Sequence, residues 1–166
     1  MAEALLINKT DIAKYTSLDG NIDYDKLLPF VKIAQDIWIQ QYTGTDLLNK
    51  IKADILANTL AGNYLTITTT FLKPMLIFYS MVEYLPFSSF QISNNGVYQK
   101  EVESSTAVSY ENIQLLAEKY KKIAENYSQR FVDYMCFSSN LFPEYTSNSN
   151  DDIHPIRENY YTNWHI

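Results

Sequence analysis

The chain has 166 residues, of which 46% are hydrophobic and 19% charged, so it has the composition of a globular protein long enough to bury one core. Its net charge of −6 makes broad affinity for nucleic-acid backbone or anionic membrane unfavourable. The single cysteine excludes an internal disulfide framework, and no N-terminal signal peptide is visible. We therefore expect one soluble intracellular domain.

The first part of the chain predicts three helices. A short helix is expected over residues 10–15, with Thr10 as its N-cap. A second is expected from about 24 to 42, and its apolar residues cover more than one face, which is typical of a central helix. Gly44 ends this helix, and a third runs from 45 to about 58.

A fourth helix is expected over residues 66–85, bent near Pro74. The apolar stretch in this region is interrupted by charged residues and prolines, so it indicates a buried helix rather than a membrane span. A β-hairpin is then predicted at about 89–101, because Asn95-Gly96 suits a type I′ turn between alternating apolar residues. A single hairpin is marginal in water and needs a surface to pack on.

The longest predicted helix runs from 110 to about 138, with Ser109 as N-cap. Its apolar stripe follows steps of three and four and consists of Ile113, Leu116/Ala117, Tyr120, Ile123/Ala124, Tyr127, Phe131 and Tyr134/Met135. At 1.5 Å per residue this helix spans roughly 40 Å. Residues 141–166 carry bulky apolar side chains without a helical or strand period, which favours an extended arm that docks elsewhere. The alternative is that this arm wraps its own domain.

The predicted fold is mainly α: a helical bundle with one long C-terminal helix, a single inserted β-hairpin and an extended C-terminal arm. The helical domain is expected over residues 1–140 and the docking arm over 141–166. Aromatic residues make up 14% of the chain, and tyrosine in particular is enriched where protein surfaces meet.

Little in the sequence predicts chemistry. No glycine-rich phosphate loop is present, and both histidines lie in the arm. Four oxygen-bearing residues have a calcium-like spacing: Asp19, Asn21, Asp23 and Asp25. They lack the glycine and glutamate of a calcium loop, and turn formation and helix capping explain the same residues. Cys136 is expected to be a small buried residue rather than a reactive thiol. We expect no catalytic residues, no cofactor and no metal.

Eight short segments, taken in order, resemble a known family. They are Asp11-Ile12-Ala13-Lys14-Tyr15, Ile33-Ala34-Gln35 with Ile39-Gln40-Gln41-Tyr42-Thr43-Gly44, Leu72-Lys73-Pro74 with Tyr84-Leu85-Pro86, Ser93-Asn94-Asn95-Gly96-Val97, Ala124-Glu125-Asn126-Tyr127, and Leu141-Phe142-Pro143-Glu144-Tyr145. Over about residues 8–145 the chain resembles the head–tail connector (adaptor, or head-completion) proteins of tailed bacteriophages, closest to the ring-forming connectors of crAss-like Bacteroides phages.

This resemblance implies a helical subunit, made in the host cytoplasm, that forms a homo-oligomeric ring in the neck or tail region of the virion. The ring is expected to be twelve-fold, to bind beneath the portal protein and to dock the next connector or tail protein. It extends the DNA channel, so DNA passes without sequence-specific binding, and no membrane takes part.

The expected contacts with other subunits involve the hairpin and the arm. In the hairpin they are Phe90, Ile92, Val97 and Tyr98; in the arm they are Phe142, Tyr145, Ile153, Ile156, Tyr160, Tyr161 and Trp164. Two other functions stay open. One is a tail-completion or stopper protein further down the neck, and the other is a monomeric helical module that binds a peptide or small ligand between hairpin and helices.

Overall fold

Helices dominate the structure, a computed structural model that describes residues 4–16, 24–88, 90–93, 96–99, 109–147, 149 and 151–157. The mainly α class expected from the sequence is confirmed. In chain order the elements are α1 (Lys9–Tyr15), α2 (Tyr24–Ala34), a π-helical turn (Gln35–Ile39), α3 (Gln40–Ala57), α4 (Gly62–Ile67), a second π-helical turn (Thr68–Leu72), α5 (Lys73–Ser88), β1 (Phe90–Ser93), β2 (Gly96–Gln99), α6 (Tyr110–Ser138), a 3-10 turn (Ser139–Leu141) and α7 (Pro143–Thr146).

The cap of α1 differs from the expected one. Asn8, rather than Thr10, is the N-cap: its side chain accepts a hydrogen bond from the Asp11 amide at 3.0 Å, and the Asp11 carboxylate accepts one from the Asn8 amide at 3.1 Å. This reciprocal pair satisfies two amides that the first helical turn leaves without partners. The predicted N-cap at Thr10 is therefore wrong, because the capping pair places the N-cap two residues earlier, at Asn8.

Helix α3 contains a break at Gly44, whose backbone has φ 73° and ψ 164°. This conformation is essentially restricted to glycine. A Cβ at this position would lie 2.8 Å from Cδ of Pro155 and 3.2 Å from the carbonyl oxygen of Ile153. Gly44 is therefore required both by its backbone conformation and by the close approach of the C-terminal segment.

Threonines and a proline explain the second π-helical turn. The hydroxyls of Thr68 and Thr69 donate to the carbonyls of Tyr64 and Leu65, four residues earlier, at 2.7 and 2.8 Å. Such bonds bend helices. Pro74, just after the turn, has no N–H to continue an α-helical ladder. The bend predicted near Pro74 thus takes the form of a π-helical turn that ends at Leu72.

The core is centred on α5, which packs against α6 on one side and α2 on another. Phe71 contacts the ring of Phe131, whereas Phe78 contacts the earlier Tyr120, so α5 and α6 run antiparallel. Tyr79 stacks on Trp38 with centroids 4.5 Å apart. The segment Gly62–Ser88 is long and apolar enough to cross a membrane, but it is largely buried inside the protein, which is typical of a core helix.

Gln35 ties the N-terminal segment to the core. Its side chain is fully buried, accepts a hydrogen bond from the Leu6 amide at 3.0 Å and donates one to the Ala4 carbonyl at 3.0 Å. The amide thus satisfies two backbone groups that would otherwise lose their hydrogen bonds on burial.

Candidate interaction surfaces

Helix α7 places two of the predicted arm residues inside the core. Phe142 and Tyr145 are 0% and 2% exposed, and both belong to the main hydrophobic cluster. The ring of Tyr145 lies edge-on to Phe131, and that of Phe142 lies edge-on to Tyr64. The prediction that Phe142 and Tyr145 contact another subunit is therefore wrong, because this chain's own helices already bury both side chains.

Residues 151–157, here called the strap, are fixed along α3. The Thr45 amide donates to the Ile153 carbonyl at 3.0 Å, and the Ile156 amide donates to the Gln41 carbonyl at 2.8 Å. The Thr45 hydroxyl adds a bond to the Asp152 carboxylate at 2.9 Å. The break at Gly44 frees the backbone groups that the strap uses.

The described part of the C-terminal arm therefore wraps its own domain. Within the strap, Ile153 keeps an exposed side chain and Ile156 is half-buried. The expectation of an extended docking arm from residue 141 onward is wrong up to Arg157, because α7 packs into the core and the strap is hydrogen-bonded to α3. Tyr160, Tyr161 and Trp164 lie outside the described residues.

A second surface forms at the end of the α5–α6 pair that carries the strands. Strands β1 and β2 pair antiparallel, with Ile92 opposite Val97. Phe90 is exposed on β1, whereas the side chains of Ile92, Val97 and Tyr98 lie outside the described part of the structure. We call the exposed apolar side chains here the hairpin end: Phe87, Phe90, Tyr110, Leu115 and Leu116.

Leu115 is the most exposed member of the hairpin end, at 63%. In the first half of α6 only Ala117 is buried, so this half presents apolar side chains that the described residues leave uncovered. Sequence reasoning assigned Leu116 to the core stripe and passed over Leu115. The sequence does contain a signal for this exposure: two adjacent leucines widen an apolar stripe beyond the single face that one neighbouring helix can cover.

The opposite end of α6 carries a further exposed apolar group. Phe137 is 90% exposed, and Leu141, four residues later, is also exposed. The predicted stripe did not include either residue, and Phe137 lies beyond Met135, the last buried residue of α6. Cys136 is exposed as well, so its expected burial is wrong: on α6 it points away from the stripe that meets α5.

A small pocket of about 230 Å³ lies where α6, α7 and the strap meet. We call it the strap pocket, and it is lined by Met135, Cys136, Ser139, Tyr145, Thr146 and Arg157. The guanidinium of Arg157 lies 5.4 Å from the centre of the Tyr145 ring and donates to the Tyr145 carbonyl at 2.9 Å. The Tyr145 hydroxyl is buried without a hydrogen-bond partner.

Two tyrosines around α7 have raised pKa values. Burial raises the pKa of Tyr64 to about 12, helped by its 2.6 Å hydrogen bond to the Glu144 carboxylate. Burial also raises the pKa of Tyr145 to about 12, with an opposing effect from Arg157 and a small supporting one from Cys136. Both hydroxyls are therefore neutral at physiological pH. Their environments stabilise the docking of α7 and do not poise either group for proton transfer near pH 7.

The described residues include no cluster of three or more His, Cys, Asp or Glu side chains placed to hold a metal ion. Of the calcium-like spacing, Asp25 lies in the first turn of α2, whereas Asp19, Asn21 and Asp23 lie outside the described residues.

A comparison with protein families matches residues 39–154 to a family of unknown function, DUF6712, over more than half of the chain. The chain belongs to DUF6712. The matched DUF6712 segment begins in the first π-helical turn and contains Gly44, both ends of α6 and the first strap residues. Comparisons with curated proteins and with solved structures found no match.

Proposed function

We propose that this chain is a structural, non-enzymatic subunit of a phage head–tail connector ring that binds beneath the portal protein, extends the DNA channel and docks tail components. The observation that carries the proposal is the pair of uncovered apolar surfaces at the two ends of α6. One is the hairpin end, and the other is Phe137 with Leu141.

Two different apolar surfaces suit ring formation better than simple dimerisation. A two-fold dimer uses one surface twice, whereas head-to-tail contacts join two different surfaces and close into a ring when the rotation per subunit divides a full turn. Helix α6 holds the two surfaces apart along its 29 residues. In the proposed ring, the hairpin end of one subunit contacts the Phe137 end of its neighbour.

The proposed connector architecture is a helical domain with one long C-terminal helix, an inserted hairpin and an extended terminus. The strands follow α5 directly and Phe90 is exposed, which supports a contact between Phe90 and a neighbouring subunit or the portal. Contacts through Ile92, Val97 and Tyr98 in the hairpin, and through Tyr160, Tyr161 and Trp164 beyond the strap, stay predictions.

The charge of the chain suits a channel. With a net charge of −6 per subunit, a ring repels phosphate on average, and this lets DNA slide past without sequence-specific binding. The proposed partners are copies of the chain itself in a ring, twelve-fold by the resemblance, the portal protein, and the next connector or tail protein. The proposed location is the neck or tail region of the virion.

The test is assembly of the purified full chain, alone and mixed with the portal protein of its phage, measured by light scattering and native mass spectrometry. We expect a ring of fixed subunit number, at least in the presence of portal. Leu115→Ser and Phe137→Ser should each abolish the ring. Leu56→Ser is the matched control, because Leu56 is similarly exposed but lies at the end of α3.

Thermal unfolding of the three variants separates lost assembly from lost folding. Rings of normal size from both α6 variants would contradict the proposed contacts. A chain that ignores portal but joins a ring already bound to portal is a stopper or tail-completion protein. A chain that stays monomeric in every mixture but binds a peptide or small ligand is a helical binding module, and the connector proposal then fails.

A further inference from the structure

The outward side of the first half of α6 carries two lysines. Leu115, Lys119 and Lys122 follow one another at steps of four and three residues, so they share one side of the helix. Ala117, the buried residue of this half, lies on the opposite side. Both lysines are exposed, and neither forms an ion pair with another described residue.

The other charges of this half do not cancel the lysines on the outward side. Glu111 and Glu118 are about two helical turns apart and lie on a flank, between the outward side and the buried stripe. Lys121 pairs with Glu125 at 4.0 Å and lies 5.8 Å from the centre of the Trp38 ring, so its charge is used within the chain. The outward charges next to the hairpin end are therefore positive, in a chain whose net charge is −6.

The strap carries the opposite charge. Asp151 and Asp152 are exposed, and neither forms an ion pair with another described residue. The Asp152 carboxylate accepts from the Thr45 hydroxyl, and Asp46, the next residue of α3, accepts from two serine hydroxyls at 2.7 and 2.8 Å. Arg157 is the one arginine or lysine of the strap, and its guanidinium is engaged with an aromatic ring and a backbone carbonyl of α7.

This acidic strap lies at the end of α6 that carries Phe137. Cys136 and Ser139, on either side of Phe137 in the chain, line the strap pocket together with Arg157. Arg130, the basic residue of the second half of α6, packs over two aromatic rings at 5.5 and 5.8 Å. The two ends of α6 therefore differ in charge, and each end also carries exposed apolar side chains.

We infer that Lys119 and Lys122 of one subunit pair with Asp151 and Asp152 of the next copy of this chain. The inference rests on the proposed function, in which the hairpin end of one subunit contacts the Phe137 end of its neighbour. That contact brings the lysine side of one copy to the strap of the other, where the charges are complementary.

The charges also set the direction of assembly. A two-fold dimer uses the same surface on both copies, so contact through the hairpin ends opposes lysine to lysine, and contact through the straps opposes aspartate to aspartate. An exposed ion pair adds little affinity, whereas like charges held face to face are strongly unfavourable. The head-to-tail arrangement is the one that avoids both repulsions.

Reversal of charge on each side provides the test. The lysine variant is Lys119→Glu, Lys122→Glu, and the strap variant is Asp151→Lys, Asp152→Asn, in which asparagine keeps an oxygen for the Thr45 hydroxyl. Assembly of the full chain, alone and with portal protein, is followed by light scattering over a range of concentrations. Each variant alone should raise the concentration at half-assembly by at least about tenfold, because like charges then meet.

An equal mixture of the lysine variant and the strap variant should recover assembly to within about threefold of wild type. In a ring where the two alternate, each reversed lysine side faces a reversed strap, and each unchanged lysine side faces an unchanged strap. All contacts are then complementary, and the ring contains an even number of subunits.

Lys9→Glu, Lys14→Glu is the matched control, since both lysines are exposed on α1 and the net charge changes by the same amount as in the lysine variant. It should assemble like wild type. Asp151→Asn, Asp152→Asn is a second strap variant, which removes both charges while asparagine tolerates the positive φ of 47° at position 151. It should weaken assembly less than reversal does, and thermal unfolding checks that every variant is folded.

The outcomes keep the two proposals apart. Rings from both reversal variants at wild-type concentrations, or from the lysine variant and the Asp151→Asn, Asp152→Asn variant, overturn the pairing and leave the connector function standing. An equal loss in the α1 control, or no recovery in the mixture, also overturns the pairing. Open oligomers that both reversals abolish and the mixture restores support the pairing and reject the ring. A wild-type chain that stays monomeric in every mixture rejects both.

Discussion

The two halves of α6 differ sharply although they belong to one continuous helix. From Ala124 onward, Ala124, Ser128, Phe131, Val132 and Met135 are buried, whereas Ala117 is the one buried residue before that point. The first half nevertheless carries Leu115 and Leu116, so it is not short of apolar side chains. The difference lies in what covers them: α5 and α7 both pack on the second half, whereas in the first half α5 meets Tyr120 and the described residues include no cover for Leu115.

This contrast shows that an apolar stripe predicts contact without specifying the partner. In the second half the partner is the chain itself, through rings such as Phe71 and Tyr145. In the first half, Tyr120 stacks on Phe78 of α5, whereas Leu115 and Leu116 stay exposed. We interpret the second half as the support of the fold and the first half as the part reserved for assembly.

The largest expected loss of stability comes from removing a buried side chain from the second half of α6. Phe131→Ala should lower the free energy of unfolding by about 3–5 kcal/mol, since it removes a fully buried ring and leaves a cavity among Phe71 and Tyr145. Leu115→Ala in the exposed half should change it by no more than about 0.5 kcal/mol. Chemical denaturation of both variants measures the difference, and equal losses would abolish the distinction between the halves.

A smaller loss is expected from loosening the strap, which secures the chain beyond α7. Gly44→Ala should cost about 2–4 kcal/mol, because alanine is strained at φ 73°, ψ 164° and its Cβ would meet Pro155 at 2.8 Å. Gly62→Ala is the matched control: Gly62 also has a positive φ, of 57°, but nothing lies within 4 Å of a Cβ there.

Gly62→Ala should therefore cost only about 1–2 kcal/mol from backbone strain. Hydrogen exchange should show faster exchange of the Thr45 and Ile156 amides in Gly44→Ala but not in Gly62→Ala. Slow exchange of both amides in Gly44→Ala would show that the strap holds without the glycine.

The smallest expected effect is a loss of folding stability at alkaline pH. The pKa values of Tyr64 and Tyr145 are raised from 10 to about 12, so the folded state favours their neutral forms. The stability that these groups contribute is fully present below pH 10 and is lost as the pH rises toward 12. Thermal unfolding measured from pH 8 to 12 should show this decline.

Tyr64→Phe should make the decline shallower, because the hydroxyl that donates to Glu144 no longer titrates. A decline of unchanged steepness in both Tyr64→Phe and Tyr145→Phe would mean that neither tyrosine is responsible. In that case the packing of the second half of α6 does not depend on these two hydroxyls.

Local signals in the sequence predicted much of the fold. The three-and-four spacing predicts a helix from residue 110 to about 138, and α6 spans Tyr110–Ser138. The predicted helix end at Gly44 matches the break in α3. The π-helical turns were not predicted, since the wider hydrogen-bond spacing depends on how threonine hydroxyls and Pro74 compete with the regular ladder.

The C-terminal segment was predicted least well, for a physical reason. Phe142 and Tyr145 are three residues apart on either side of Pro143, which suits a short helix with one apolar face. Whether that face meets its own core or a neighbour depends on the space left between α3, α4 and α6. No local pattern reports that space, and the same holds for the exposure of Leu115 and Phe137.

The π-helical turn at Thr68–Leu72 has a consequence for comparisons within DUF6712. One residue more per turn rotates everything that follows by roughly 100° about the helix axis. The insertion therefore sets which side of α5 meets α6, and it directs Tyr79 toward Ser128, 3.1 Å away. A family member one residue shorter between positions 68 and 72 would turn a different side of α5 inward, so a gap there would mark a repacked core.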